Sequence, residues 1–459
     1  MTHHLTLFAF ILTFTFLPSC GDDGPSQFKA PSLDVSEFET TVQASIASRI
    51  EEAENENTPQ TISRLARVLH AHKLYAEAAD LYAVALERGG NEFRNHYLAG
   101  CALKIIDPSR ALGAFQAALK IRSDAPSLLL RLGLLQEQLG NEDRARVHLE
   151  RAAEASDYGQ AHLALGRIAL KRGEKKAAVE HLRVAVEKLP KDGAPYEALA
   201  RAYKATNRPI SASKAAEVAA LQASSKSGFP DPIMATVVRE GVSFANKKAR
   251  SNNHLSVGHI DQALSWINRA LEIQPDNPDG LFDKATILHV QEKYTEALAL
   301  CNRILKIRPD MADASDLSAH CLKKLGRIGE AINVLNKALD TNPKDVHLHC
   351  SLAFFLMNKD PKSARSHLQA AIEANPLSKQ ARIQFAGFLA SEHDFAGAEA
   401  QYAELLSYYP LNTELRMQLC SLYGSQEKWK AIRVQLKKIV ERHPTHPGAR
   451  ALWEKILGK

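Results

Sequence analysis

Six prolines, Pro275, Pro309, Pro343, Pro376, Pro410 and Pro444, recur at intervals of 34, 34, 33, 34 and 34 residues. A fixed period of this length marks a chain made from one small supersecondary unit stacked on itself, because a single unit cannot bury its apolar face alone. Proline lacks an amide hydrogen and its ring clashes with the preceding turn, so each of the six closes a helix. Within residues 159–192, Gly166 stands eighth, Ala178 twentieth, Ala185 twenty-seventh and Pro190 thirty-second. Small residues recurring at fixed places in the unit let packed helices approach closely.

The same register runs along nearly the whole chain. Leu65-Ala66, Ala78 and Ala85 mark a first unit, and Leu132-Gly133, Ala145 and Ala152 a third. Leu199-Ala200, Ala212 and Ala219 mark a fifth. The second unit, with Gly100 and Ala118, is one residue short at Asp107-Pro108, and the single short step later falls at Asp360-Pro361. This pattern is similar to the tetratricopeptide repeat. The resemblance implies an all-α, right-handed α-solenoid of about eleven helix-turn-helix repeats with capping helices, forming one quasi-linear array. Five repeats are expected over 59–226 and six over 244–446. Between them, 227–243 holds Gly228-Phe229-Pro230-Asp231-Pro232, which cannot be helix interior. That span reads either as a hinge between two arms or as a packed insertion. The first helix of the following unit, roughly 244–257, is polar and departs from the pattern.

Solenoids need polar caps. Val35, Phe38, Val42, Ile46 and Ile50 recur at helical steps behind the capping-box signature Ser36-x-x-Glu39, predicting a capping helix that leads through an acidic linker into the repeats over 34–58. A closing helix is expected over 447–459, with Leu452, Trp453 and Ile456 facing the last unit.

Composition agrees with this reading and removes others. At about 150 residues per domain, 459 residues suggest about three globular domains, a count the period replaces. With 45% hydrophobic residues the chain is too apolar for disorder, and 6 cysteines are too few for a disulfide scaffold. A net charge of +6 is too mild to imply nucleic acid. Its placement says more: residues 101–250 carry 25 basic against 16 acidic side chains, whereas 21–100 carry 7 against 13.

The N-terminus reads as an address. Leu5 to Leu17 is an uncharged, almost wholly apolar run of thirteen residues, too short to span about 30 Å of hydrocarbon but suited to a signal peptide over 1–19. Leu17-Pro18-Ser19-Cys20-Gly21 resembles the bacterial lipoprotein signal, which implies cleavage before Cys20, acylation of its thiol and a tether over 20–33. The n-region holds His3 and His4 without Lys or Arg, and Pro18 sits where that family places a small residue. An ordinary secretory cut or an uncleaved anchor are the other readings, and all three export the protein. Without Cys20 five cysteines remain, an odd number with no C-x-x-C pair, and these read as small core residues.

The resemblance places ligands on the concave face, lined by the first helix of each unit. Arg67, Arg131, Arg167, Lys171, Arg201 and Lys204 map there in the early units and predict a groove for an acidic segment. Asn252 follows at the same register. In the later units Phe282, His289, His320, Phe354 and Met357 offer a lining suited to an apolar or amphipathic partner helix, unless they serve inter-repeat packing. The Lys and Asn combination of chaperone-binding clamps is not present. His347-x-His349-Cys350 gathers three metal-ligand types, but only His347 and Cys350 share a helical face.

No G-x-S-x-G, H-E-x-x-H or phosphate-binding glycine loop occurs. Repeats and caps absorb almost every residue after the tether, so the expectation is a non-catalytic protein with no cofactor and no metal. The resulting reading is an envelope-anchored scaffold with protein or peptide partners, attached to a membrane through the N-terminal lipid, with no nucleic acid. Its alternatives are an accessory lipoprotein of a secretion, pilus or exopolysaccharide assembly system, or a non-catalytic regulatory subunit of an envelope enzyme complex.

Overall fold

The structure, a computed structural model, describes residues 26–156, 158–222, 227–441, 443 and 446–457. The leader 1–19, Cys20 and Pro444 lie outside them. Among the described residues there are helices and no strands, and the helices fall into eleven antiparallel pairs.

A capping helix α1 (Thr40–Glu56) precedes units one to five. These pair α2 (Pro59–Ala71) with α3 (Tyr75–Glu87), α4 (Glu92–Ile106) with α5 (Pro108–Ile121), and α6 (Pro126–Gln138) with α7 (Glu142–Ser156). Then follow α8 (Gly159–Lys171) with α9 (Lys175–Lys188) and α10 (Gly193–Ala205) with α11 (Pro209–Leu221). After a short α12 (Met234–Val238) come α13 (Phe244–Ser256) with α14 (Ile260–Leu271), and α15 (Pro278–Val290) with α16 (Tyr294–Ile307). Next are α17 (Ala312–Lys324) with α18 (Ile328–Thr341) and α19 (Val346–Leu356) with α20 (Pro361–Ala374). The last units pair α21 (Lys379–Ser391) with α22 (Phe395–Tyr408) and α23 (Thr413–Gly424) with α24 (Trp429–Val440), and α25 (Pro447–Leu457) closes the chain.

The small residues act where the period demands them. A Cβ added to Gly133, at the eighth position, would lie 2.7 Å from Leu149 Cγ on the facing helix. In unit six that position is Ser251, fully buried, whose hydroxyl donates to the carbonyl of Ala263 at 2.7 Å. The polar helix α13 therefore keeps the close approach by hydrogen bonding. Between paired helices one residue adopts the left-handed conformation, whether glycine (Gly140, φ 79°) or not (Glu292, φ 62°). The two short units omit it. There Asp107 both ends α4 and caps α5, and Asp360 caps α20 three residues after the C-cap of α19, accepting from the amides of Arg110 at 3.0 Å and Ser363 at 3.2 Å.

First helices of successive units touch one another (α6 with α8, α15 with α17, α17 with α19), and second helices make no comparable contact. The first helices therefore line the concave side. All five described cysteines are buried free thiols.

Two expectations need correction. The capping helix starts at Thr40, because Ser36 is held in a turn by Asp34, whose carboxylate accepts both its amide (3.1 Å) and its hydroxyl (2.7 Å). The run from Glu51 is not a linker but the end of that helix, with Ala53 buried, Glu52 salt-bridged to Arg64 at 2.8 Å, and Asn57 as a left-handed cap. The second correction concerns continuity. Among the described residues α13 packs on α14 and α15 rather than on α11, so the eleven units form two arrays and not one line.

The span 227–243 makes that break. It starts where the Asp192 carboxylate accepts the Ser227 amide at 2.8 Å, at the entrance to unit five. It then runs back along the first array to unit one, ending with a hydrogen bond from the Val242 amide to His72 Nε2 at 3.5 Å. Unit six consequently begins beside α1, where the Glu39 carboxylate accepts from the Phe244 amide (3.0 Å) and from Gln274 Nε2 (3.2 Å). The arrays meet again at their far ends. There α11 packs on α22, the rings of Tyr196 and Tyr409 meet edge-on at 6.4 Å, and His443 Nε2 lies 2.8 Å from the Glu187 carboxylate.

Candidate binding grooves

The concave side of the first array is occupied by the returning span. Gln160 Nε2 donates to the carbonyls of Ser227 (3.0 Å) and Gly228 (3.1 Å). Phe229 packs edge-on against Tyr158 at 5.4 Å and beneath the Arg131 guanidinium at 5.0 Å. Asp231 then takes the central position: its Oδ2 accepts from Arg131 Nη2 (2.6 Å), Arg131 Nε (2.9 Å) and the Tyr97 hydroxyl (2.6 Å). Its Oδ1 accepts the amide of Met234 at 3.0 Å, which starts α12. Farther on, Val237 is buried against the first array, and Glu240 pairs with Arg67 at 3.2 Å.

Two cations expected to face an outside acidic partner are therefore engaged from within. Arg131 and Arg67 meet Asp231 and Glu240, the only two carboxylates of 227–243. The Tyr97 hydroxyl is held well above the usual phenol range, first by burial and then by neighbouring ionisable groups including Asp231. It remains a proton donor to that carboxylate. The other basic side chains act locally. Arg167 forms a two-pronged bridge to Glu137 (both 2.7 Å), Lys171 lies 3.1 Å from Glu142, and Arg201 pairs with Glu197 on its own helix. Lys204 stays exposed.

The concave side of the second array differs. Asn252 and Lys248, at 3.6 Å, both turn to Asp283, whose carboxyl is nevertheless raised by burial. Phe282 packs beside the buried Leu281, Ile304 and Ala314, and Met357 beside the core of the last units. His289 stacks edge-on with Tyr294 at 5.3 Å, and its pKa is lowered by burial and then by His320. His320 lies 3.7 Å from Asp316 and 6.4 Å from the Phe354 ring. Phe354 itself is 44% exposed, with the Lys323 ammonium 3.8 Å above its ring. His349 is buried and faces His367, Nδ1 to Nδ1 at 3.0 Å, while His347 is exposed. Among the described residues no group of three or more His, Cys, Asp or Glu is arranged to hold a metal.

A tetratricopeptide repeat family model matches residues 102–159 and 148–193, across the units whose helices and close contacts are described above. The chain is a tetratricopeptide repeat protein. A second family model, anaphase-promoting complex, cyclosome, subunit 3, matches residues 256–338. No curated protein matches the chain. Similar solved structures include a thermophilic tetratricopeptide repeat protein of Thermus thermophilus, 21% identical over 39% of this chain and 98% of that one, at a TM-score of 0.36. Another is PilW, a widely conserved type IV pilus biogenesis factor, 17% identical over 46% and 97%, at 0.38. A third is PilF of Pseudomonas aeruginosa, 16% identical over 46% and 97%, at 0.35.

Several contributors to this tetratricopeptide repeat protein's grooves were not foreseen from the sequence. Tyr97 and Asp231 were missed, although an insertion with two carboxylates after a stretch rich in Arg and Lys carried a charge signal. Tyr196, Tyr409 and Lys379, where the arrays meet, gave none, because their pairing depends on the path of the intervening chain.

Proposed function

We propose that this chain, built from tetratricopeptide repeats, which form protein-interaction scaffolds, is an exported scaffold, tethered to a bacterial envelope through lipid on Cys20, which presents the concave side of its second array to a protein partner. The observation carrying the choice of surface is the contrast between the two grooves. The first is filled by residues 227–243, whereas the second leaves Phe354 exposed with Lys323 and His320 beside it. An aromatic ring flanked by a cation suits an amphipathic helix with an apolar residue and a nearby carboxylate. The leader pattern in the sequence supports the tether, and multiple acyl chains on one cysteine would hold it firmly.

Two measurements test the parts separately. Radiolabelled palmitate should enter the native chain and not a Cys20→Ala variant; equal labelling removes the lipid tether. A photo-crosslinker at Phe354 should capture a partner in intact cells that one at Phe229 does not. Identical capture from both positions would remove the assignment to the second array.

A further inference from the structure

A cleft of about 320 Å³ opens where the two arrays meet, within the size range of small-molecule sites. The first array supplies Tyr196, Leu199, Tyr203 and Lys214, and the second supplies Lys379, Tyr408, Tyr409 and Leu411. Its walls are chiefly aromatic and aliphatic, and its charges are unequally satisfied. Glu187 is engaged by His443 at 2.8 Å, and Glu414 accepts from Gln418 at 3.1 Å. Lys379 and Lys214 have no carboxylate partner among the described residues and lie over the rings of Tyr409 (4.0 Å) and Tyr408 (4.9 Å). Burial and then the neighbouring Lys191 lower the pKa of Lys379. Glu217 and Glu404 meet the Tyr408 hydroxyl, so the lack of a counter-charge is local to Lys379, a half-buried ammonium beside a second cation, where a carboxylate would supply a charge-assisted hydrogen bond in a partly desolvated setting.

We propose that this cleft binds a small amphiphilic carboxylate, with an apolar or aromatic body between the tyrosines and its carboxylate at Lys379 and Lys214. Such a ligand touches both arrays at once and closes the molecule by holding their far ends together. The site is separate from the Phe354 surface and does not rest on the envelope reading.

The test uses the full chain, 4-phenylbutyrate as the probe and 4-phenylbutanol as its neutral counterpart, in titration calorimetry. Saturable one-site binding is expected for the acid, with the alcohol at least tenfold weaker. Lys379→Met should weaken the acid at least tenfold while leaving the alcohol within about twofold. Ser211 also lines the cleft, on α11; Ser211→Trp, which fills it without changing its charge, should abolish both, and it serves as the second variant where Lys379→Met alters the fold by circular dichroism. Absence of saturable binding to the unaltered chain, equal affinity for acid and alcohol, or full binding by Ser211→Trp would each overturn the proposal.

Discussion

Arg131 Nη2 donates to Asp231 Oδ2 at 2.6 Å, joining residues one hundred positions apart in the chain. Their side chains are only 18% and 6% exposed, and Tyr97 and Phe229 complete the enclosure. Removing one member of a buried pair leaves the other charge without compensation, at a cost of about 3–5 kcal/mol. Asp231→Ala should therefore lower the stability of the first array by about that amount, read from urea unfolding followed by far-ultraviolet circular dichroism. The double replacement Arg131→Met with Asp231→Leu should recover most of it. An Asp231→Ala loss below about 1 kcal/mol would mean that the returning span is not held by this contact.

Two glycines separate close approach from mere helix tolerance. Adding a methyl group at Gly133 brings it to 2.7 Å from Leu149 Cγ and 2.9 Å from Cδ2. Overpacking of this kind costs about 1–3 kcal/mol, and the better helix propensity of alanine returns about 1 kcal/mol. Gly133→Ala should thus be neutral to destabilising by about 2 kcal/mol. At exposed Gly387 an added methyl group meets nothing within 4 Å, so Gly387→Ala should stabilise by about 1 kcal/mol. Thermal midpoints moving in the same direction for both would show that the eighth position does not set helix spacing.

Tyr409 sits where the arrays meet, against Tyr196 at 6.4 Å and beneath Lys379 at 4.0 Å. Truncating a buried aromatic costs about 3–5 kcal/mol, here drawn partly from contacts between units far apart in sequence. Tyr409→Ala should release the far ends, raise the radius of gyration in small-angle scattering and split unfolding into two transitions. An unchanged radius would place the rigidity of the molecule at the α1 end instead.

These relationships mark what was legible in the sequence. Repeat number, helix pairing and the turns at Asp107 and Asp360 follow from local rules, since a small residue, a proline or a capping carboxylate acts within one unit. The path of 227–243 does not. The Gly228–Pro232 stretch shows where a helix must stop, but turning back depends on Asp231 finding Arg131 and Tyr97, a contact of long sequence separation. Once the span returns to α1, the meeting of Tyr196 with Tyr409 is fixed by geometry rather than by any motif. The grooves follow the same division: register assigns Arg67 and Arg131 to the first helices of their units, and only the fold reveals Glu240 and Asp231 opposite them.

Mild acid should loosen the repeats through their buried histidines. His70 is enclosed beside Tyr82 and Tyr75, and burial lowers its pKa to about 4, with Arg131 adding a smaller push. His367 is lowered by burial and then by His349, the partner facing it across the paired helices at 3.0 Å. Each folded pKa lies below the unfolded value of about 6.5, so the unfolded chain binds protons more readily. The stabilisation is complete above about pH 6.5 and falls as pH drops toward the folded values, by up to about 3 kcal/mol for His70 at pH 4. Units ten and eleven place a permanently charged Arg and a neutral Gln at the equivalent cross-helix register, Arg382 with Gln401 at 2.8 Å and Arg416 with Gln435 at 2.7 Å. His367→Gln, which turns one histidine pair into a histidine–amide pair, should flatten the fall in thermal midpoint between pH 7 and pH 5. An equally steep fall in the variant would show that the facing histidines do not carry this acid sensitivity.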